Sequence, residues 1–146
     1  MRALLLLFSA GMLVLGLTVG CQNKSMTLEY VIPDGFSGII KLRAGSADGI
    51  ALTPTNGHLT LAFPASGTLV VRGRLPTLEW HKAVARFADG TPIQIPGPAS
   101  AVPDDVIALR GLGIKSNNTE SWYLVGKAEQ MQDAMNKFYG FQVPKR

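Results

Sequence analysis

The chain has 146 residues, of which 47% are hydrophobic, and its 14 basic and 10 acidic residues leave a formal net charge of +4. The basic residues are scattered along the chain, which argues against a nucleic-acid-binding surface. The single cysteine excludes a disulfide within the chain, and the length suits one domain with a modest core.

The N-terminal segment has the features of an export signal. An apolar run, 3–19, follows Arg2 and ends at Gly20 and the only cysteine, Cys21. A positive start, an apolar middle and small residues before a cut are typical of a secretory signal peptide. An uncleaved membrane helix is the alternative, although the run is at the short end for a bilayer span. Secretion with a free thiol is a further alternative. We expect residues 1–20 to be removed.

The segment Leu17-Thr18-Val19-Gly20-Cys21 resembles the lipobox of bacterial lipoproteins, with Thr18 where that family prefers leucine. The resemblance implies that the Cys21 thiol is alkylated with diacylglycerol and that Cys21 becomes the first mature residue. Residues 21–25 would then form a short lipidated tether to a single domain, 26–146. Because Gln22 replaces the aspartate that retains such proteins in the inner membrane, the resemblance points to the periplasmic face of the outer membrane in a bacterium with two membranes.

Short apolar runs separated by Gly, Pro, Asn and Asp begin at Met26. Leu28, Tyr30 and Ile32 alternate with less apolar neighbours, as they do in a half-buried strand. Further strands are predicted at 38–43, 50–52, 58–63, 68–72, 106–109 and 121–125. Strands this short, with turns this frequent, predict an antiparallel β-sandwich of about seven to nine strands.

The segment 77–87 is ambiguous. Trp80, Val84 and Phe87 have helical spacing, but Asp89-Gly90 is a typical hairpin turn between two short apolar runs. We favour the hairpin, with Pro92 confining its second strand to a sheet edge.

One amphipathic helix is predicted at about 127–139. Ala128, Met131, Met135 and Phe138 form one apolar stripe, and Gly140 supplies the stop. Packing of this stripe on a sheet is favoured over a partner-binding groove.

The run Tyr30-Val31-Ile32-Pro33-Asp34-Gly35-Phe36-Ser37-Gly38-Ile39-Ile40 resembles the opening of a family of small exported bacterial proteins of unknown function. The family pattern is an aromatic residue, Ile-Pro, an acidic residue, Gly, an aromatic residue, a spacer and Gly. The resemblance implies a compact β-rich domain and no known activity. From the residues themselves, we expect a turn at Gly35, a fold-back of Phe36 onto the core and re-entry into the sheet at Gly38. A ligand loop is the alternative.

Few residues suggest chemistry. His58 and His81 have no carboxylate at ligand spacing, and Asp104-Asp105 after Pro103 is expected to be a solvated turn. We therefore predict no catalytic residue, no metal site and no cofactor. The aromatic segments Trp80-His81-Lys82 and Trp122-Tyr123 are the best contact residues for a ligand, but packing in the core and sheets is the favoured interpretation.

These observations predict a lipid-anchored protein of the cell envelope with a non-catalytic binding or structural role. Its partners would be the membrane, through Cys21, and an envelope protein or glycan. An envelope enzyme or enzyme inhibitor with a loop-built site is the alternative, and an immunity-type protein is a third. An enzyme would require a histidine within hydrogen-bond reach of an acid in a cleft.

Overall fold

A computed structural model describes residues 26–141 of the chain. The predicted cleavage site and the predicted lipidation site, Cys21, lie outside these residues. Within them the chain forms eight strands and one α-helix, so the protein is mainly β. The strands are β1 (Met26–Ile32), β2 (Gly38–Arg43), β3 (His58–Ala62), β4 (Thr68–Val70), β5 (His81–Phe87), β6 (Pro92–Ile93), β7 (Ala108–Ile114) and β8 (Glu120–Gly126), and the helix is α1 (Met131–Tyr139).

The strands form two four-stranded sheets. The first sheet has the order β3-β1-β5-β6, and the second has the order β4-β2-β8-β7. From β1 to β5 the chain changes sheet at every step, since β1, β3 and β5 lie in the first sheet and β2 and β4 in the second.

This alternation makes the prediction of an antiparallel sandwich wrong in part. β1 pairs in parallel with both β3 and β5, and β2 pairs in parallel with β4. Each crossing to the other sheet reverses the chain, so strands two apart in sequence return in the same direction. Antiparallel pairing is confined to β2 with β8, β5 with β6 and β7 with β8 among the paired strands of residues 26–141.

The main core lies between the two sheets. Leu28, Tyr30 and Ile32 are at most 1% exposed, as their alternation in β1 predicts. Ile40 and Leu42 of β2 are fully buried against them in the same cluster. Burial on one face of each sheet therefore joins the sheets into a sandwich.

Helix α1 covers the outer face of the second sheet. Ala134 and Phe138 are buried there against Leu112 of β7 and Leu124 of β8. Gly140 ends the helix in the left-handed conformation, at φ 76°. The predicted helix is thereby confirmed, although Ala128 belongs to a preceding turn of 3₁₀ helix, Ala128–Gln130. No helix in the described part of the chain is long and apolar enough to cross a bilayer.

The hairpin predicted after residue 80 is confirmed, and the helical alternative is wrong. Pro76–Leu78 forms one turn of 3₁₀ helix, after which β5 and β6 pair antiparallel. Pro92 lies opposite Arg86 at the edge of the sheet. The Phe87 N–H donates to the Thr91 carbonyl, so Pro92 occupies a position where no N–H is needed.

The turn predicted between β1 and β2 also forms. Gly35 and Gly38 have φ values of 68° and 134°, which other residues rarely adopt. The Phe36 ring folds back against the main core, beside Gly67.

Two predicted strands differ from the structure. The segment 50–52 forms only an isolated bridge between Ile50 and Val71. The strand predicted at 106–109 starts at Ala108 and continues to Ile114, past a register shift between Gly111 and Gly113. The bulge there accommodates residues that weaken a regular strand.

The sandwich has two distinct ends. We call the end at which the described chain begins, at Met26, the tether pole; β1, β3 and β5 start at this pole, and β2, β7 and α1 end at it. Hydroxyls of Thr77 and Ser121, 2.8 Å apart, join the 3₁₀ turn before β5 to β8 at this pole. The Lys115 ammonium donates to the Phe138 carbonyl and joins β7 to the end of α1. The opposite end is the far pole, where Asp89 N–H donates to the Asp34 carboxylate at 2.7 Å.

Candidate functional site

A cleft opens on one side of the sandwich because β6 is short. β6 pairs only with Ala85 and Arg86 of β5, and the chain then bridges from Gln94 to Ala108 in the other sheet. Within residues 26–141 no strand pairs with 81–84 of β5 on that side. The result is a cavity of about 220 Å³ between β5 and β7.

Two tyrosines form the floor of this cleft. The hydroxyls of Tyr30 and Tyr123 are 3.0 Å apart, and their rings meet edge to face. Burial, and then the neighbouring Tyr123, raise the pKa of Tyr30, which is 1% exposed. Tyr30 is therefore a neutral phenol that shares one hydrogen bond with Tyr123.

His81 lies at the mouth of the cleft, at the start of β5. Its Nδ1 is 2.6 Å from the Glu79 carbonyl oxygen. Since a carbonyl only accepts, Nδ1 carries the hydrogen, and Nε2 is the acceptor when the ring is neutral. The contact with the Glu79 carbonyl therefore orients the His81 ring, and Nε2 can accept a hydrogen bond from a ligand.

The structure separates the two histidines. His58 is opposite Thr27 on the outer face of the first sheet, whereas His81 is opposite Met26 on the inner face. The hydrogen bonds of the described residues join neither ring to a carboxylate. No three His, Cys, Asp or Glu side chains between residues 26 and 141 come together as a possible metal site.

An ion pair lies on the outer face of the first sheet. The Arg86 guanidinium donates to Glu29 at 2.8 Å, and the Thr60 hydroxyl donates to the same carboxylate at 3.1 Å. The hydrogen bond from Arg86 is the main cause that lowers the pKa of Glu29. These groups connect three adjacent strands and do not reach the cleft.

The structure places the predicted contact residues in different environments. Trp122 packs under α1, with its ring 5.7 Å from that of Phe138 and the Lys41 ammonium 3.9 Å from its centroid. Tyr123 packs against the main core, so the packing interpretation is right for both. It is wrong for Trp80, which is 86% exposed just before β5.

Exposed apolar side chains gather at the tether pole. Of the large hydrophobic residues that the described chain leaves exposed, most are at this end: Ile50, Trp80, Ile114, Tyr139 and Phe141. The rings of Tyr139 and Phe141 are 5.9 Å apart beyond the end of α1. The sequence indicates this exposed pair, because Tyr139 and Phe141 come directly after the apolar stripe of the helix, which ends at Phe138, and do not lie on it.

The groups that line the cleft are suited to binding a small ligand or an extended peptide. Leu109 and Ile95 supply apolar walls, Tyr30 and Tyr123 supply hydroxyls, and the unpaired side of β5 supplies backbone groups. An open strand edge of this kind can pair with another extended segment.

Comparison with known proteins adds little to this geometry. No protein-family model matches the chain, and no curated protein matches its sequence. The chain is similar to a 2.75 Å crystal structure named "Putative Lipoprotein from Bacillus anthracis", with 13% identity and a TM-score of 0.44 over 82% of this chain and 83% of that one.

Proposed function

We propose that this protein is an exported lipoprotein of the cell envelope, held on a membrane by acyl chains on Cys21. Its folded domain acts there as a non-catalytic binding or structural module. In a bacterium with two membranes, Gln22 favours the periplasmic face of the outer membrane.

The order of residues around Cys21 carries this proposal. A positive residue, an apolar run and a small residue immediately precede the only cysteine, and β1 begins only a few residues later, at Met26. Two or three acyl chains would hold such a domain at a membrane stably, whereas one would not.

The cleft beside β5 supports the binding role. It combines an unpaired strand edge, 81–84, with the buried phenol of Tyr30, the partly buried phenol of Tyr123 and the imidazole of His81. Nδ1 of that imidazole contacts the Glu79 carbonyl, which leaves Nε2 to face a ligand. Backbone pairing at such an edge gives affinity for an extended segment, and the adjoining pocket gives specificity.

Mass spectrometry of the intact protein tests the anchor. The full-length gene product is expressed in a bacterial host, extracted from the membrane fraction and weighed, with Cys21→Ser as the matched control. We expect the mass to show loss of residues 1–20 and gain of a diacylglyceryl group, and we expect both changes to disappear in the control. An intact Met1 terminus or an unmodified Cys21 thiol would contradict the proposal.

Crosslinking in intact cells tests the binding role. A photoreactive residue in place of Ala83, which lies in the unpaired part of β5 and lines the cleft, should give one defined adduct with an envelope component. The same residue in place of the exposed Asp105 at the far pole is the control. No adduct at position 83, or identical adducts at both positions, would exclude a partner at this edge.

A further inference from the structure

We infer that the tether pole lies against the bilayer that holds Cys21, with its exposed aromatic side chains among the lipid headgroups and its basic side chains on anionic headgroups. This inference rests on the proposed lipidation of Cys21. It adds a second, non-covalent contact between the domain and the membrane, and it fixes the orientation of the domain.

The length of the tether limits how far the pole can stand from the membrane. Five peptide steps separate Cys21 from Met26, and five extended residues span at most about 18 Å. Met26 pairs with His81, so the exposed Trp80 adjoins the point where the tether meets the fold. Trp80 is therefore within the zone that the anchor keeps close to the lipid.

The side chains at this pole are of the types that favour a membrane interface. Trp80, Tyr139 and Phe141 are 86%, 60% and 68% exposed, so the core does not need their rings. Trp80 directly precedes β5 of the first sheet, Tyr139 is the last residue of α1 and Phe141 follows it, so the first sheet and the helix layer both present apolar groups at this end. Trp and Tyr prefer the headgroup region, because each ring has an apolar body and a polar tip.

The charged side chains of the domain are distributed as contact between the tether pole and anionic headgroups requires. At the tether pole the basic side chains outnumber the acidic Asp48 and Glu79, and the pair Arg43 and Glu120, 2.8 Å apart, neutralises itself. The basic residues there are Arg72, Arg74, Lys82, Lys115 and Lys137. Arg72 donates to the Gly49 carbonyl and Lys115 to the Phe138 carbonyl, and both keep their positive charge at this pole.

The far pole has the opposite charge. Its acidic residues, including the first turn of α1, are Asp34, Asp89, Asp104, Asp105, Glu129 and Asp133. Lys127 is a basic residue at this pole, and Arg110 donates to the carbonyls of Pro103, Val106 and Gly126. An anionic surface would attract the tether pole and repel the far pole, and added salt would weaken both effects.

Fluorescence quenching by lipids tests the orientation. The lipidated full-length protein is reconstituted in phosphatidylethanolamine vesicles with phosphatidylglycerol and nitroxide-bearing lipid. One fluorophore is placed on Phe141→Cys at the tether pole or on Ile107→Cys, an exposed apolar position at the far pole, 42% exposed. Because the Cys21 sulfur is in a thioether, the introduced cysteine is the single reactive thiol in each variant.

We expect several-fold stronger quenching at position 141 than at position 107. Equal quenching in protein whose mass confirms lipidation would overturn the docking and leave the anchor intact. A mass without the diacylglyceryl gain would instead reject the anchor, and the docking with it. Protection of position 141 from aqueous iodide without lipid quenching would identify a second copy of the chain on the pole, and would also overturn the inference.

A charge variant tests the contact between the basic side chains of the tether pole and anionic headgroups. We expect Arg72→Gln with Arg74→Gln to reduce the quenching at position 141 several-fold, and omission of phosphatidylglycerol to do the same. Asp104→Asn with Asp105→Asn, at the far pole, is the matched control and should leave quenching unchanged. Quenching that is insensitive to both Arg72→Gln/Arg74→Gln and lipid charge would overturn the electrostatic contact.

Discussion

The two poles of the sandwich are closed by different interactions. At the far pole the turns are held by carboxylates: Asp34 accepts from the Asp89 N–H, and Asp89 accepts from the Thr91 N–H. At the tether pole apolar packing is added to the hydrogen bonds of Thr77 and Lys115, since Leu75 is 1% exposed and Leu78 packs on the same core. Polar turn chemistry suits a surface that faces water.

The tether pole also has apolar groups beyond those that close it. Trp80 and Phe141 are exposed although Leu75 and Phe138, close to them in the chain, are buried. Exposed apolar groups gathered at one end of a domain are a candidate contact surface. The comparison therefore separates aromatic residues that stabilise the fold from those that are available to a partner surface.

The largest expected effect distinguishes these two kinds of aromatic residue. Phe138→Ala removes a ring that packs on Trp122, and we expect it to lower the free energy of unfolding by about 3–5 kcal/mol. The matched change Tyr139→Ala, at a 60% exposed position, should change it by less than about 0.5 kcal/mol. Urea denaturation measures both, and similar losses would show that the exposed ring is also structural.

A pair of glycines compares the two poles directly. At the tether pole a Cβ on Gly49 would lie 2.5 Å from the Val71 carbonyl carbon, so we expect Gly49→Ala to cost about 3 kcal/mol through overpacking. At the far pole Gly35 has open space but a φ of 68°, so Gly35→Ala should cost about 1–2 kcal/mol through backbone strain alone. A larger loss for Gly35→Ala in thermal or urea unfolding would contradict this order.

The smallest expected effect is a pH dependence at the far pole. The hydrogen bond from the Thr91 backbone N–H lowers the pKa of Asp89, so the folded state favours its charged form. The resulting stability is present above the unfolded pKa, near 3.9, and is lost as pH falls through the lower folded value. Asp89→Asn should therefore flatten the fall in stability below about pH 4, and an unchanged slope in acid titration of the unfolding midpoint would exclude this role.

The chain's local patterns determined most of the secondary structure. The alternation of Leu28, Tyr30 and Ile32 correctly predicts which side chains are buried in β1, and the helical stripe correctly predicts burial of Phe138. The stripe misses Ala134, which α1 also buries, while Met131 and Met135 are only partly buried. Periodicity carries this information because a strand or a helix must bury one face whatever its neighbours are. The identity of those neighbours is not contained in the same pattern.

Three local predictions differ from the structure for the same reason. Ile50–Leu52 has a strand-like composition but forms one bridge, and β7 extends through Gly111 and Gly113, where composition argues against a strand. Trp80 is a large apolar residue that we expect to pack in the core or the sheets, but it is exposed. In each case contacts made by distant parts of the chain, and not the local residues, decide the outcome.

The candidate surfaces could be predicted only in pieces. The single cysteine and the apolar run before it predict an anchor from the sequence alone, because export signals are linear patterns. The Tyr30–Tyr123 pair joins residues 93 positions apart, so no local pattern shows it.

The sequence by itself determined where many of the turns fall and which faces of β1 and α1 are apolar, and it predicts a lipid anchor at Cys21. Only the tertiary structure decided that β1, β3 and β5 run in parallel, that β6 leaves an open cleft, and that Trp80 and Phe141 lie at the end of the sandwich where β1 begins. The physical reason is that burial depends on local periodicity, whereas strand direction and the gathering of exposed groups depend on the order in which the chain crosses between the two sheets.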